Sequence, residues 1–152
     1  MDMYNFLRTA IERHIHETEP LIGQLTDEVI SQEPIPDGRP LGEVFLHMLR
    51  SIEYYLQGLV LNRWTPLPYT LVDYATADKM RALSEAVFGK SRSYLQQLKS
   101  ADLSREVEGL NRPATLYEIL LELLEHSIHH RGQITVYYRL LGIEPARIPY
   151  IV

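Results

Sequence analysis

A chain of 152 residues, 45% apolar and 23% charged, has the balance of one folded domain with a buried core and not that of a disordered segment. A net charge of −5 without a basic block gives no electrostatic footprint for nucleic acid, and no apolar run approaches the ~18 residues that a membrane span requires. Cysteine is absent, so any first-row metal must be held by imidazole, carboxylate or water, and any thiol chemistry must draw its thiol from outside.

The N-terminus, Met1 to Arg8, carries an acid and soon becomes amphipathic. It lacks the basic-then-apolar order of a signal peptide, and a cytoplasmic protein is expected. A first helix is predicted over residues 3–25, where Met3, Phe6, Leu7, Ala10, Ile11, Ile15, Leu21, Ile22 and Leu25 recur at three and four. Pro20 removes a backbone donor within that run and predicts a kink or break. A Pro/Gly-rich connector, 33–40, leads to a second helix over 40–62 with Pro40 suited to its first turn. Its stripe is Leu41, Val44, Phe45, Met48, Ile52, Tyr55, Leu56 and Leu59.

Residues 63–69, Arg-Trp-Thr-Pro-Leu-Pro-Tyr, have loop chemistry with large apolar side chains, as in a loop packed over its domain. A third helix is predicted over 77–99, carrying Met80, Leu83, Val87, Tyr94, Leu95 and Leu98. The fourth starts after residues 111–114, where Thr115 and Glu118 can form a capping box, runs to Leu141 and stops at Gly142, with Pro145 beyond. No internal repeat and no strand pattern is present. Four amphipathic helices joined by loops predict an all-α four-helix bundle spanning 1–152 as a single domain.

Within the fourth helix, Glu125 to Gln133 places His126 and His130 four residues apart. That spacing sets two imidazoles on one helix face, Cβ atoms roughly 5–6 Å apart, and two such rings can grip one metal ion. At about 100° per residue, Leu116, Leu120, Leu123, Ser127, Ile134, Tyr138 and Leu141 define the core-facing stripe. His130 falls within it, His126 at its margin and His129 on the flank. The pair reads either as core histidines satisfied by hydrogen bonds or as metal ligands.

His47 sits on the second helix among Glu43, Arg50 and Ser51, off the apolar arc. It reads as solvated unless that face lines a cleft. His14 projects into the apolar stripe of the first helix, as a buried, hydrogen-bonded histidine by default and a fourth ligand otherwise; His16 points to solvent. Glu122 and Gln133 flank the His126/His130 face, and either could orient a ligand imidazole, though Glu122 reads equally as a surface carboxylate.

Residues 126–145, His-Ser-Ile-His-His-Arg-Gly-Gln-Ile-Thr-Val-Tyr-Tyr-Arg-Leu-Leu-Gly-Ile-Glu-Pro, resemble the C-terminal signature of DinB-like proteins. Residues 40–54, Pro-Leu-Gly-Glu-Val-Phe-Leu-His-Met-Leu-Arg-Ser-Ile-Glu-Tyr, resemble that family's second-helix motif. The resemblance implies a bundle of up-up-down-down topology, often paired as a homodimer. It implies a divalent metal site of three histidines, which in this sequence are His47, His126 and His130, leaving His129 outside.

Several relatives look like thiol-dependent enzymes, so the resemblance implies a transferase of detoxification type acting on a small molecule. Zinc or nickel would be the ion, by imidazole preference, and a low-molecular-weight thiol the cosubstrate. One alternative is a hydrolase using metal-bound water with Glu122 as proton acceptor. Another is a non-catalytic stress-response dimer whose structural metal takes His14 or a carboxylate as its fourth ligand. Tyr54, Tyr137 and Trp64 are candidates for a substrate wall, with core packing as the plainer reading. Leu46, Leu49 and Val60 lie off the second helix's stripe and would suit either a dimer interface or the underside of the 63–75 loop.

Overall fold

Residues 2–108 and 112–148 are described by a computed structural model; the ends of the expected 1–152 domain, and residues 109–111, lie outside the described residues. Four long helices form: α1 (Met3–Gly23), α2 (Leu41–Leu61), α3 (Ala77–Gln97) and α4 (Leu116–Leu140). A 3-10 turn at Ser100–Asp102 and one isolated bridge, Glu106 to Thr115, complete the regular structure among the described residues.

Each boundary has a local cause. Asp2 caps α1 by accepting from the Asn5 amide, and Thr76 caps α3 by accepting from Lys79. Thr115 and Glu118 close the predicted capping box on α4. Gly142, at φ 75°, takes the left-handed position that ends α4. Pro20 does not break α1: it sits in the last turn with its ring exposed, and its carbonyl accepts from the Gln24 amide. The helix ends at Gly23, two residues short of the predicted 25, while Leu25 still packs in the core.

The helix directions follow from a few long-range bonds. Tyr138 at the end of α4 donates to the Leu21 carbonyl near the end of α1, so these two run parallel. Tyr4 at the start of α1 donates to the Leu95 carbonyl near the end of α3, so α1 and α3 are antiparallel. Arg105, just before α4, donates to the Leu59 carbonyl near the end of α2, and the start of α2 meets the end of α4 where Phe45 and Tyr138 stack edge to face. Read around the bundle as α4, α1, α3, α2, the helices point up, up, down, down. In chain order the same arrangement runs up, down, down, up.

α2 is the central element. It packs on both α3 and α4, and 62–76 folds back along its remaining side. It is therefore buried nearly all round, as expected of a helix with core on several faces. Leu46 and Leu49, read as off-stripe, are fully buried in the single chain and are not available to a dimer. The exposed apolar side chains Ile128, Val136 and Leu140 lie instead on the outer face of α4.

The fold-back of 62–76 is held at three points. Trp64 lies on Gly58, where a β-carbon would overlap its ring, so glycine is required there. The Tyr69 hydroxyl donates to the buried Glu53 carboxylate at 2.8 Å, whose other oxygen receives Lys90 at 2.7 Å. Arg50 donates to the Tyr69 carbonyl at 2.7 Å.

Candidate metal centre

The antiparallel contact of α2 and α4 brings His47 between His126 and His130. Ring centroids are 5.1 Å apart for His47–His126, 4.6 Å for His47–His130 and 4.5 Å for His126–His130. One ring nitrogen of each lies within 4.8 Å of the others, and among the described residues no further histidine or carboxylate joins the group. α4 is held in this rotation partly by its back face, where buried Arg131 pairs with Glu17 of α1 at 2.6 Å. The expected solvated face of His47 is thus a cleft wall, closed by α4 and by the returning 62–76 loop.

The electrostatics keep the three imidazoles neutral. Burial pushes the His47 pKa down to about 4, helped by His130, Arg39, His126 and Arg50. Burial also lowers His126, helped by His130 and His129, and lowers His130 against the opposing hydrogen bond with Gln133, helped by His129 and Arg39. Neutral imidazoles keep a lone pair, which is the form that binds metal. His130 is further oriented: its Nδ1 lies 2.9 Å from Gln133 Oε1, and Gln133 Nε2 faces the Tyr137 hydroxyl at 3.4 Å. A carbonyl acceptor on one ring nitrogen leaves the other with its lone pair, the usual support of a ligating histidine. The donor set therefore fits a divalent first-row ion.

Beside the histidines opens a cavity of about 520 Å³ lined by His47, Arg50, Ser51, Tyr54, Tyr55, Pro66, Leu67 and His126. The expected wall residue Tyr54 is here. Trp64 stands behind it, stacked edge to face on Tyr54 at 5.5 Å. Tyr137 is a core residue, fully buried beneath Gln133.

Other expected residues lie elsewhere. Glu122 does not line the cavity; its carboxylate accepts from Arg112, one turn before His126. His14 is buried on α1 and stands outside the three-histidine group. It is not hydrogen-bonded as expected: neither ring nitrogen has a partner among the described residues, and burial beside Arg131 depresses its pKa to about 3. His129 is exposed on the flank, and His16 is exposed near Glu19. Ser51, Tyr55 and Arg39 escaped the sequence reading as site residues. The first two stand four and eight residues after His47, a spacing that marks its face; Arg39 carries no such signal.

A family model described as the DinB family matches residues 3–151. The protein YjoA of Bacillus subtilis strain 168 is 26% identical over 132 residues, covering 85% of this chain and 84% of that protein. A crystal structure of a DinB-like protein from Bacillus cereus ATCC 10987 aligns with a TM-score of 0.78 at 26% identity, over 96% of this chain and 95% of the other. YfiT from Bacillus subtilis, described as a probable metal-dependent hydrolase with an unusual four-helix bundle topology, aligns with a TM-score of 0.68 over 93% and 89% of the two chains. At 20% identity that likeness speaks to the fold.

Proposed function

This chain belongs to the DinB family, and from that premise we propose that it is a metal-dependent enzyme transferring a small thiol to an electrophile. His47, His126 and His130 would hold the ion, with zinc or nickel suited to an all-imidazole set. The observation that carries the reading is the convergence of three imidazoles, two of which, His47 and His126, line an open cavity. Three protein ligands leave a position for an incoming molecule, whereas a structural ion takes four. The chemistry such an ion supplies is Lewis acidity, which favours loss of the proton from a thiol or water bound beside it.

The chain's own residues do the rest. Gln133 orients His130, while Tyr54, Tyr55, Pro66 and Leu67 offer an apolar wall to the body of a small substrate. Among the described residues no carboxylate lines the cavity, so a bound water would have no general base there, and a thiol, the more acidic of the two, reaches its anion more readily beside the ion. A cytoplasmic location belongs to the same reading, since small thiols stay reduced there. A homodimer, if formed, would use exposed apolar surface such as Ile128, Val136 and Leu140.

Hydrolysis is the second reading, favoured by the description of YfiT. It would require Glu122 to leave Arg112 and serve as proton acceptor. The test is zinc- or nickel-loaded protein with a panel of electrophiles, with and without bacterial thiols, beside esters and amides without thiol. Turnover that strictly needs thiol supports transfer. A flat progress curve with every thiol and electrophile, or thiol-free hydrolysis lost by about 10²-fold or more in Glu122→Gln, would overturn it.

A further inference from the structure

Arg50 stands three residues after His47 and four before Tyr54 on α2, and all three side chains line the cavity. Its guanidinium is fixed in place: one terminal nitrogen donates to the Tyr69 carbonyl at 2.7 Å and the other to the Glu43 carboxylate. A guanidinium has five N–H groups, so three remain for a ligand, in a planar fork that matches a carboxylate. Arg39, exposed just before α2, has no acid partner among the described residues, and its charge reaches His47, His126 and His130. The one acid acting on these histidines, Glu122, is itself paired with Arg112. The surroundings of the centre are therefore cationic in a chain whose net charge is −5.

We propose that the electrophile taken by this cavity is an apolar acid: Arg50 binds its carboxylate, while Tyr54, Tyr55, Pro66 and Leu67 receive its body. This rests on the thiol-transfer reading above. The small thiol takes its place beside the histidines, and the cavity beyond them offers a cation and an apolar wall to one further molecule. Its volume, about 520 Å³, suits a single ring with a short substituent. Tyr54 meets Tyr55 and Trp64 edge to face, at 5.8 and 5.5 Å, and this aromatic packing holds the wall against which a ring would lie. In the reaction the thiolate sulfur forms a bond to the electrophilic carbon, the leaving group departs with the bonding pair, and the thiol proton goes to solvent. The carboxylate takes no part in that exchange and only fixes orientation. Arg50 is then a specificity-determining residue that acts on ground state and transition state alike.

The test is calorimetric titration with a matched pair of probes, benzoate and benzamide, on zinc-loaded and zinc-free protein. Both native forms should bind benzoate about tenfold or more tightly than benzamide. Arg50→Gln should lose that preference while binding benzamide within about threefold of the native protein, and Arg50→Lys should recover part of it. In turnover with mercaptoethanol, para-bromomethylbenzoate should show a lower KM than para-bromomethylbenzamide at similar kcat, and Arg50→Gln should equalise the two KM values. No preference for benzoate in the native protein would overturn the proposal. So would a preference that needs zinc and survives Arg50→Gln, because the ion would then hold the carboxylate. Loss of benzamide binding together with benzoate in Arg50→Gln would make Arg50 a support for the loop and overturn it as well. If neither bromide is consumed with any thiol while Arg50-dependent binding of benzoate persists, the transfer reading fails and the cavity's preference for an apolar acid stands.

Discussion

Gln133 Oε1 lies 2.9 Å from His130 Nδ1, one helical turn along the same face of α4. An amide oxygen cannot donate, so this contact fixes which nitrogen of His130 carries the proton and leaves the other for a metal. Gln133→Leu should keep the fold and lower zinc affinity by about 10- to 100-fold, read by chelator competition. Gln133→Glu retains an acceptor and should bind zinc at least as tightly as the native protein. Equal affinity in the native and leucine proteins would remove Gln133 from the site.

His14 makes a stability prediction of definite sign. Its folded pKa, about 3, lies below the unfolded 6.5, because burial and Arg131 oppose the charged form. Between those values the unfolded chain holds a proton that the folded chain refuses, so stability falls as pH drops through 6.5 toward 3. One proton gives a slope of up to about 1.4 kcal/mol per pH unit. His14→Leu removes this group together with two unpartnered ring nitrogens. Urea unfolding should find the variant at least as stable as the native protein at pH 7, with a smaller loss between pH 6.5 and 4.5. Equal slopes in the two proteins would show that His14 is not held neutral by the fold.

Gly58 carries the loop that closes the cavity. A β-carbon there overlaps the Trp64 ring, and moving the ring disturbs Tyr54, its edge-to-face neighbour. Gly58→Ala should therefore cost about 1–3 kcal/mol, as overpacking typically does, despite alanine's better helix propensity. Trp64 is the single tryptophan, so its fluorescence reports the loop directly. A red-shifted emission in the folded variant is expected. Unchanged emission with native stability would mean that the loop is not seated on Gly58.

The helices were legible because their ends carry local chemistry. Thr115 and Glu118 announce a capping box, Gly142 a left-handed stop, and the observed bounds follow from those residues. His126 and His130 were legible for the same reason, since both lie on one helix and its wheel places them. His47 was not, because the wheel knows nothing of 62–76 folding back along α2 and turning a nominally solvated face into a cleft. Leu46 and Leu49 lie off the wheel's stripe for the same reason, and of their two readings burial within the chain leaves out the dimer interface; family resemblance alone carried His47 into the site. Ser51 depends on a contact between helices 75 residues apart, which no local pattern encodes. His14 shows the reverse limit: its apolar stripe foretold burial, but only the packed structure reveals that no partner among the described residues meets it.

The central claim is that His47, His126 and His130 hold one divalent ion, and metal content tests it most directly. Elemental analysis of the purified native protein, after reloading with zinc or nickel and removal of free ion, should give one equivalent per chain. His47→Ala and His126→Ala, shown folded by circular dichroism, should each retain little or none. Native metal content in both variants would contradict the account, because no ion held by these three imidazoles could survive the loss of either one.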